Sequence, residues 1–224
     1  MENQLTLKDK LAIILKPNGK AGFLHSIVKN GKIFDIGCGN NSPKYVKHKR
    51  PDLHYTGLDI GVYNQVSDFQ NYTDQLIMTS PENFDKEIAK FNNEFDAIIS
   101  AHNLEHCDDY KKVVIAMIGA LKPGGKLYMA FPCEKSVNFP GRKGTLNFYD
   151  DDTHKNIIKY DEIIDLVKTN GLSIDFTAKQ YKPILLAFLG LLLEPISIIR
   201  KKVMPLGSTW ALWGFETVII GHKK

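Results

Sequence analysis

The chain has 224 residues, 29 Lys+Arg against 25 Asp+Glu, with 43% hydrophobic and 24% charged residues. This ordinary globular usage excludes disordered, collagen-like and coiled-coil chains. The net charge of +4 is mild and the lysines are scattered, so nothing calls for a nucleic-acid partner.

The length suits a single domain over residues 1–224, large enough to bury a core without disulfide staples. Cys38, Cys107 and Cys133 form no CxxC pair, as expected of packed thiols in a reducing compartment. The N-terminal stretch carries an apolar run only from Leu11 to Leu15, without a cleavage site, so a cytoplasmic location is expected.

Short apolar runs alternate with amphipathic stretches. Lys32–Ile36 reads as a strand running into the turn Gly37-Cys38-Gly39. His54–Ile60 reads as a second strand that ends in an acid, Asp59. Phe95–Ser100 is nearly all apolar, as a strand covered on both faces must be. Val113, Val114, Met117, Ile118 and Leu121 recur at helical spacing before the turn Pro123-Gly124-Gly125, which launches the strand Lys126–Phe131. Ile163, Ile164 and Val167 mark a further helix, with Gly171 placed to cap it. Alternating strands and helices predict an α/β, Rossmann-like three-layer sandwich around a mostly parallel sheet of about seven strands.

Ligands of such sheets bind at the carboxyl ends of the strands, so the residues just after each strand are the candidates. Gly37 and Gly39 let the backbone approach a ligand, although a bare structural turn has the same pattern. Asp59 is suited to the two hydroxyls of a ribose, or to a helix N-cap. A dinucleotide fingerprint needs Gly or Ala where this chain has Ser42. The acid Asp35 just before the glycines opposes a diphosphate and attracts an amine. A cofactor with an ammonium group and a ribose but no phosphate fits better, which describes S-adenosylmethionine.

These residues resemble class I S-adenosylmethionine-dependent methyltransferases. Ile33-Phe34-Asp35-Ile36-Gly37-Cys38-Gly39 resembles the first motif of that family and Leu58-Asp59-Ile60 the second. Phe95–Ser100 is similar to the fourth-strand motif, and Leu121-Lys122-Pro123-Gly124-Gly125-Lys126-Leu127 to the turn before the fifth strand. The resemblance implies that Asp35, Gly37 and Gly39 hold the methionine end of the cofactor, and that Asp59 holds the ribose with Ile60 beside the adenine. Ser100 and His102 follow as cofactor contacts at the end of the fourth strand. The third-strand region matches poorly, and Glu82 or Ser80 is the expected group near the adenine amine. Ser42 and Asp35 disfavour the rival, an NAD(P)-dependent oxidoreductase. A non-catalytic cofactor-binding partner protein is the other alternative.

Asn147–His154, with its acid-x-Thr-His segment, resembles a subset of bacterial methyltransferases of surface-glycan and antibiotic-sugar biosynthesis. This implies O-methylation of a glycan, glycolipid or related metabolite, with a small-molecule or lipid-linked saccharide as acceptor. His106 and His154 are the candidate catalytic bases, with His102 a third histidine at the same edge. Glu105 or Asp108 is placed to orient His106, and simple packing is the alternative for each ring. Asp150-Asp151-Asp152 could hold a divalent metal together with His154, but solvated loop acids are the commoner reading of such a run, so no metal is assigned.

Between the last expected strands lies a hydrophobic insertion, at about 182–213. Its apolar core from Ile184 to Leu193 is too short to span a membrane, which takes about 20 residues, and Glu194 and Pro195 interrupt it. It reads either as a buried helix or homodimer face, or as an interfacial element. In the interfacial reading Leu185, Leu186, Phe188, Leu189, Leu192 and Leu193 meet lipid, Arg200–Lys202 supply charge, and Trp210 and Trp213 sit at the boundary. That would hold the enzyme at the inner face of the membrane.

Overall fold

The computed structural model describes residues 6–224; Met1–Leu5, the start of the N-terminal stretch, lie outside them. Its centre is a seven-stranded sheet, β1 (Lys32–Ile36), β2 (His54–Asp59), β3 (Gln75–Met78), β4 (Phe95–Ala101), β5 (Leu121–Pro132), β6 (Leu172–Ala178) and β7 (Glu216–Lys223). The spatial order is β3-β2-β1-β4-β5-β7-β6, parallel except for β7, which runs antiparallel between β5 and β6. This is the expected Rossmann-like arrangement.

Strand periodicity divides the core. In β1, Ile33 faces Phe23 and Leu24 of α2 (Lys20–His25) and Val46 of α3 (Ser42–Lys49). Phe34 and Ile36 face the opposite layer, made by α4 (Phe84–Ala89), α5 (Tyr110–Ala120) and α6 (Tyr160–Thr169). Successive side chains of a strand point to opposite faces, so a five-residue strand feeds both halves of the core. Phe34 stacks on Phe95 at 4.6 Å between ring centroids and is fully enclosed. Truncation of such a ring to alanine costs about 3–5 kcal/mol.

The helix ends follow local chemistry. Asp109 caps α5 by accepting from the Lys112 backbone N–H at 3.1 Å. Gly171 follows α6 in the left-handed region, at φ 88°, as its position predicts. The turn Pro123-Gly124-Gly125 lies within β5, where the register against β4 shifts between Phe95 and Ala97. The short edge strand β3 lies in the third-strand region, where the sequence has no strong period and the resemblance is poor.

α1 (Leu7–Leu15) opens the described chain with a capping box between Thr6 and Asp9. Asp9 is also held by Lys49 of α3, and its carboxyl lies at about 2; burial raises it, but the hydrogen bonds from Lys49 and Thr6 outweigh burial.

Two helices separate β6 from β7, namely α7 (Ile184–Arg200) and α8 (Ser208–Trp213). α7 continues through Glu194 and Pro195, which the sequence reading treats as an interruption. Glu194 receives Arg142 at 2.8 Å and the Trp213 indole N–H at 3.1 Å, which ties the middle of α7 to the loop around residue 142. Among the described residues no helix is long and apolar enough to cross a membrane.

Candidate active site

The glycine turn after β1 is built to be open. Gly37 has φ 77°, and a Cβ there would lie 2.6 Å from the Asn103 Cβ. A side chain would be strained by the backbone and also collide with the turn after β4. A Cβ on Gly39 would enter the gap between the loop and β2, 3.5 Å from Asp59 Oδ2 and from the Tyr63 Cβ. The loop after β2 buttresses this turn. The Asn40 N–H donates to the Tyr63 carbonyl at 2.9 Å, Gln65 Nε2 donates to the Cys38 carbonyl at 2.8 Å, and the Val66 N–H donates to Asn41 Oδ1 at 2.6 Å. Tyr63 and Gln65 carry no signal in the sequence, because loop-to-loop hydrogen bonds leave no periodic pattern.

Two cavities meet at this turn and share Gly37, Gly39, Asn40 and His102. The first, about 890 Å³, is an open cleft lined by Lys20, Ser42, Tyr45, Ala101 and Trp210 and by Thr6, Lys8 and Asp9 around the start of α1. The second, about 600 Å³, is walled by Asp59, Ile60, Pro81 and Phe84 on one side and by His106, Asp151 and Thr153 on the other. Both sizes are those of small-molecule sites.

Asp59 ends β2 with its Oδ1 accepting from the Ile60 N–H at 2.7 Å. Burial pushes its carboxyl above the usual carboxylate range, against the backbone hydrogen bonds that lower it. Ile60 is half-exposed into the same cavity, beside Pro81 and Phe84. These three apolar groups form one wall of that cavity.

Three expected contacts lie elsewhere. Asp35 sits beneath the turn, 1% exposed, and lines neither cavity. Its Oδ2 accepts from the Tyr55 hydroxyl at 2.8 Å and from Ser42 Oγ, with Lys20 Nζ 3.6 Å away. Ser42 and Lys20, which do line the first cavity, are thereby fixed from below. Ser100 is enclosed within β4 and lines neither cavity, because inward alternation sends its side chain into the packed layer. Glu82 is exposed on a short 3₁₀ turn, and its neighbour Pro81 forms the cavity wall instead.

His102 joins both cavities. It follows β4 in the left-handed region, at φ 54°, with its N–H donating to the Ala130 carbonyl at 2.8 Å. Its Nε2 lies 3.1 Å from Glu216 Oε1 and its Nδ1 lies 3.4 Å from Glu105 Oε1. Burial lowers the ring's pKa, but the two carboxylates outweigh it and raise it to about 9. Glu216 in turn meets Lys16 Nζ at 2.5 Å. Burial raises the Glu216 carboxyl, yet Lys16 and His102 hold it at about 2. An imidazolium is thus fixed beside Gly37 at neutral pH, over a buried carboxylate. The Trp210 ring packs 5.0 Å from it.

His106 and His154 come together, with ring centroids 4.8 Å apart, although 48 positions of chain separate the two motifs only in sequence and not in space. Thr153 Oγ1 donates to Asp151 Oδ1 at 2.6 Å and accepts from His106 Nδ1 at 2.9 Å. Neither Glu105 nor Asp108 orients His106; Asp108 pairs with Lys155 at 2.5 Å. His154 Nδ1 donates to the Phe148 carbonyl at 2.6 Å, and its side chain is almost fully buried. The acid run is not simply solvated. Asp150 Oδ2 accepts from the N–H groups of Arg142, Leu146 and Asn147, and Asp151 holds Thr153. Cys38 and Cys107 are buried thiols; burial pushes Cys38 up strongly and Cys107 up to about 12, so neither is a nucleophile at neutral pH.

The chain belongs to the methyltransferase domain family, whose model matches residues 7–175, more than half its length. Among curated proteins, it is 27% identical over 154 residues to the uncharacterized protein MJ0906 of Methanocaldococcus jannaschii, a match covering 65% of this chain and 41% of that protein. The chain therefore spans less than half the length of that relative.

Solved structures share the fold. One is a chain of the complex between the Haloferax volcanii Trm112 methyltransferase activator and a candidate methyltransferase, at 15% identity and TM-score 0.64 over 96% of this chain and 93% of that one. Another is an S-adenosylmethionine-dependent methyltransferase from Mesorhizobium loti, at 12% identity and TM-score 0.58 over 91% and 97%. A third, from Archaeoglobus fulgidus, has 16% identity and TM-score 0.53 over 86% of each chain. A dinucleotide-dependent oxidoreductase is not favoured.

Proposed function

We propose that this methyltransferase O-methylates a saccharide-type acceptor, namely a cell-surface glycan, a glycolipid or a related metabolite. The observation that carries the reading is the series Asp151–Thr153–His106 on the cavity wall opposite the glycine turn. Because His106 Nδ1 also faces the Thr153 carbonyl at 3.3 Å, that nitrogen is a donor, and Nε2 is left to accept a hydroxyl proton.

Bound S-adenosylmethionine supplies a methyl group whose bond to sulfur breaks, with the electron pair staying on sulfur, as the acceptor oxygen attacks. The chain's own groups do the rest. Gly37 and Gly39 admit the cofactor's methionine end, the His102 imidazolium complements its carboxylate, and Asp59 accepts from the ribose hydroxyls. Asp35 acts from below through Ser42 and Lys20. His106 takes the acceptor proton, and His154 packs behind it as a positioning group. Holding the two reactants together supplies the larger share of the rate, and a base adds a factor of about 10²–10⁴.

The test is product mass spectrometry with nucleotide sugars, glycolipids and quinone precursors as acceptors. The expected product carries one methyl group on a saccharide oxygen, and His106→Ala lowers kcat/KM by at least tenfold at saturating cofactor. Methylation at nitrogen or carbon, or an unimpaired His106→Ala variant, overturns the reading.

A second observation favours work at the inner face of a membrane. Ile184, Phe188, Leu192 and Ile199 form an exposed row along α7, 60–84% accessible, and Arg200, Lys201 and Lys202 follow at its exposed end. The lipid-facing set differs from the sequence expectation. Leu186 is buried, and Leu189 and Leu193 are half-buried, because α8 covers that side. Trp210 and Trp213 face inward, with Trp210 Nε1 donating to the Thr145 carbonyl at 2.7 Å and Trp213 to Glu194. The apolar row and the basic end together suit an anionic lipid surface.

A further inference from the structure

Behind the wall that faces the acceptor side, Glu105 is 1% exposed, and neither of its carboxylate oxygens has a hydrogen-bond partner. A carboxylate offers about four lone-pair sites, and leaving them unmet in a buried place is costly. Its polar neighbours are His102 Nδ1 at 3.4 Å and His154 Nε2 at 4.0 Å. His154 Nε2 is also 3.9 Å from Asp151 Oδ2. These last two separations are too long for hydrogen bonds, so two carboxylates and a ring nitrogen look at one another across a gap.

Both rings are set to present lone pairs to that gap. His154 Nδ1 lies 2.6 Å from the Phe148 carbonyl, and His106 Nδ1 lies 3.3 Å from the Thr153 carbonyl and 2.9 Å from its hydroxyl. A carbonyl only accepts, so each Nδ1 carries the proton, and in the neutral ring each Nε2 is bare. A backbone carbonyl on the far nitrogen is the usual device that orients a metal-binding imidazole. Ligand atoms of Glu105, His106 and His154 all lie within 4.8 Å of one another. Two donors about 2.1 Å from a shared cation stand at most about 4.2 Å apart, so the trio closes on an ion with a side-chain adjustment of about 0.6 Å.

We propose that Glu105, His106 and His154 bind one divalent first-row transition ion such as Zn²⁺, Mn²⁺ or Fe²⁺. Imidazole nitrogens with carboxylate oxygens select ions of this kind over Ca²⁺ and Mg²⁺. The site departs from the sequence expectation, which assigned no metal and looked to the run Asp150–Asp152. Only Asp151 of that run faces the gap, and Glu105, from the other motif, supplies the buried charge. His106 and Asp151 also line the second cavity, so an ion here has an open side toward the acceptor. An ion held here would take the His106 Nε2 lone pair in place of the base role given above, and would itself supply the positive charge that makes an acceptor hydroxyl more acidic.

This inference goes beyond the proposed acceptor chemistry, since ion uptake needs neither cofactor nor acceptor. Untagged, chelator-stripped protein is titrated calorimetrically with ZnCl₂, MnCl₂ and CoCl₂, and the Co²⁺ form is followed by visible absorption. One equivalent of ion binds the wild type, and a Co²⁺ ligand-field band appears. His106→Ala, His154→Ala and Glu105→Gln each weaken binding at least tenfold, while His48→Ala on α3 leaves it unchanged. Circular dichroism and melting of each apo variant separate lost ligands from lost fold, and the half-exposed His106 provides the variant that leaves the core intact. Uptake below 0.2 equivalents by the wild type, or binding that survives both histidine variants in folded protein, overturns the site. Either result leaves the methyl-transfer reading to be judged by its own assay.

Discussion

The His102 imidazole and the Glu216 carboxylate meet at 3.1 Å, joining the end of β4 to the start of β7 across the floor of the cofactor cleft. With the ring's pKa near 9 and the carboxyl's near 2, the pair is ionised throughout the neutral range. The folded ring is raised above its unfolded value of about 6.5. Its stabilisation is therefore fully present below pH 6.5 and is lost as pH rises through 9. The carboxyl is lowered, so its contribution is present above about pH 4.5 and is lost as pH falls toward 2. NMR titration of the His102 ring checks the first limb, and Glu216→Gln is expected to move its midpoint down. A midpoint at or below 6.5 in the wild type contradicts the assignment. If His102 pairs with the methionine carboxylate as proposed, cofactor affinity should fall over the same alkaline limb, because the cation is discharged.

Asp59 offers a second test. Asp59→Ala is expected to weaken S-adenosylmethionine binding by about 1.5–3 kcal/mol, the scale of a hydrogen bond to a charged group. The melting temperature should change little or rise, since the carboxyl is held partly desolvated in the free protein. Calorimetry that finds equal affinity in the variant and the wild type rejects the ribose role.

Gly37→Ala should be damaging for reasons of space as well as backbone. A left-handed alanine costs about 1–2 kcal/mol, and the new methyl also meets Asn103. Loss of cofactor binding with a lowered melting temperature is expected. Gly37→Ala combined with Asn103→Gly should recover part of the stability, by relieving the collision but not the strain. Full recovery in the double variant would show that the dihedral costs nothing.

The exposed row on α7 predicts salt-sensitive association with anionic vesicles. Co-sedimentation should be seen at low ionic strength and diminish at high, as the charges of Arg200–Lys202 are screened. Phe188→Glu with Leu192→Glu should abolish it, without loss of stability, because both side chains are already in water. Absence of pelleting at low salt, with a stable dimer in solution, would assign the face to a second copy.

Much of this was legible beforehand. Gly37, Gly39 and Asp59 are local: each sits where a strand ends, and strand ends are marked by the change from apolar run to turn residues, whereas Asp35 is at such an end but turned beneath the loop. The same logic failed for Ser100 and Glu82. Alternation within β4 and the half-turn of a 3₁₀ segment decide whether a side chain looks into the cleft or away from it, and neither is fixed by order along the chain. His106 and His154 were each visible, but their meeting was not, nor was the choice of Thr153 over Glu105 as the orienting group. Glu216 left no trace, since a lone acid opening a late strand has the appearance of any surface glutamate. Trp210 and Trp213 misled because an indole suits a lipid boundary and a packed hydrogen-bonded corner equally well, and only tertiary contact distinguishes the two.

The placement of β7 between β5 and β6 also constrains the order of assembly. Among the described residues β6 has no ladder partner except β7, so until residues 216–223 are available that sheet stops at β5. The same insertion delivers Glu216 to His102. A ribosome-bound or truncated chain lacking this strand would carry the glycine turn and Asp59 yet leave His102 without its counter-charge. The counter-charge of His102 thus arrives only with closure of β5 on β7, the strand pairing of greatest sequence separation in the described sheet.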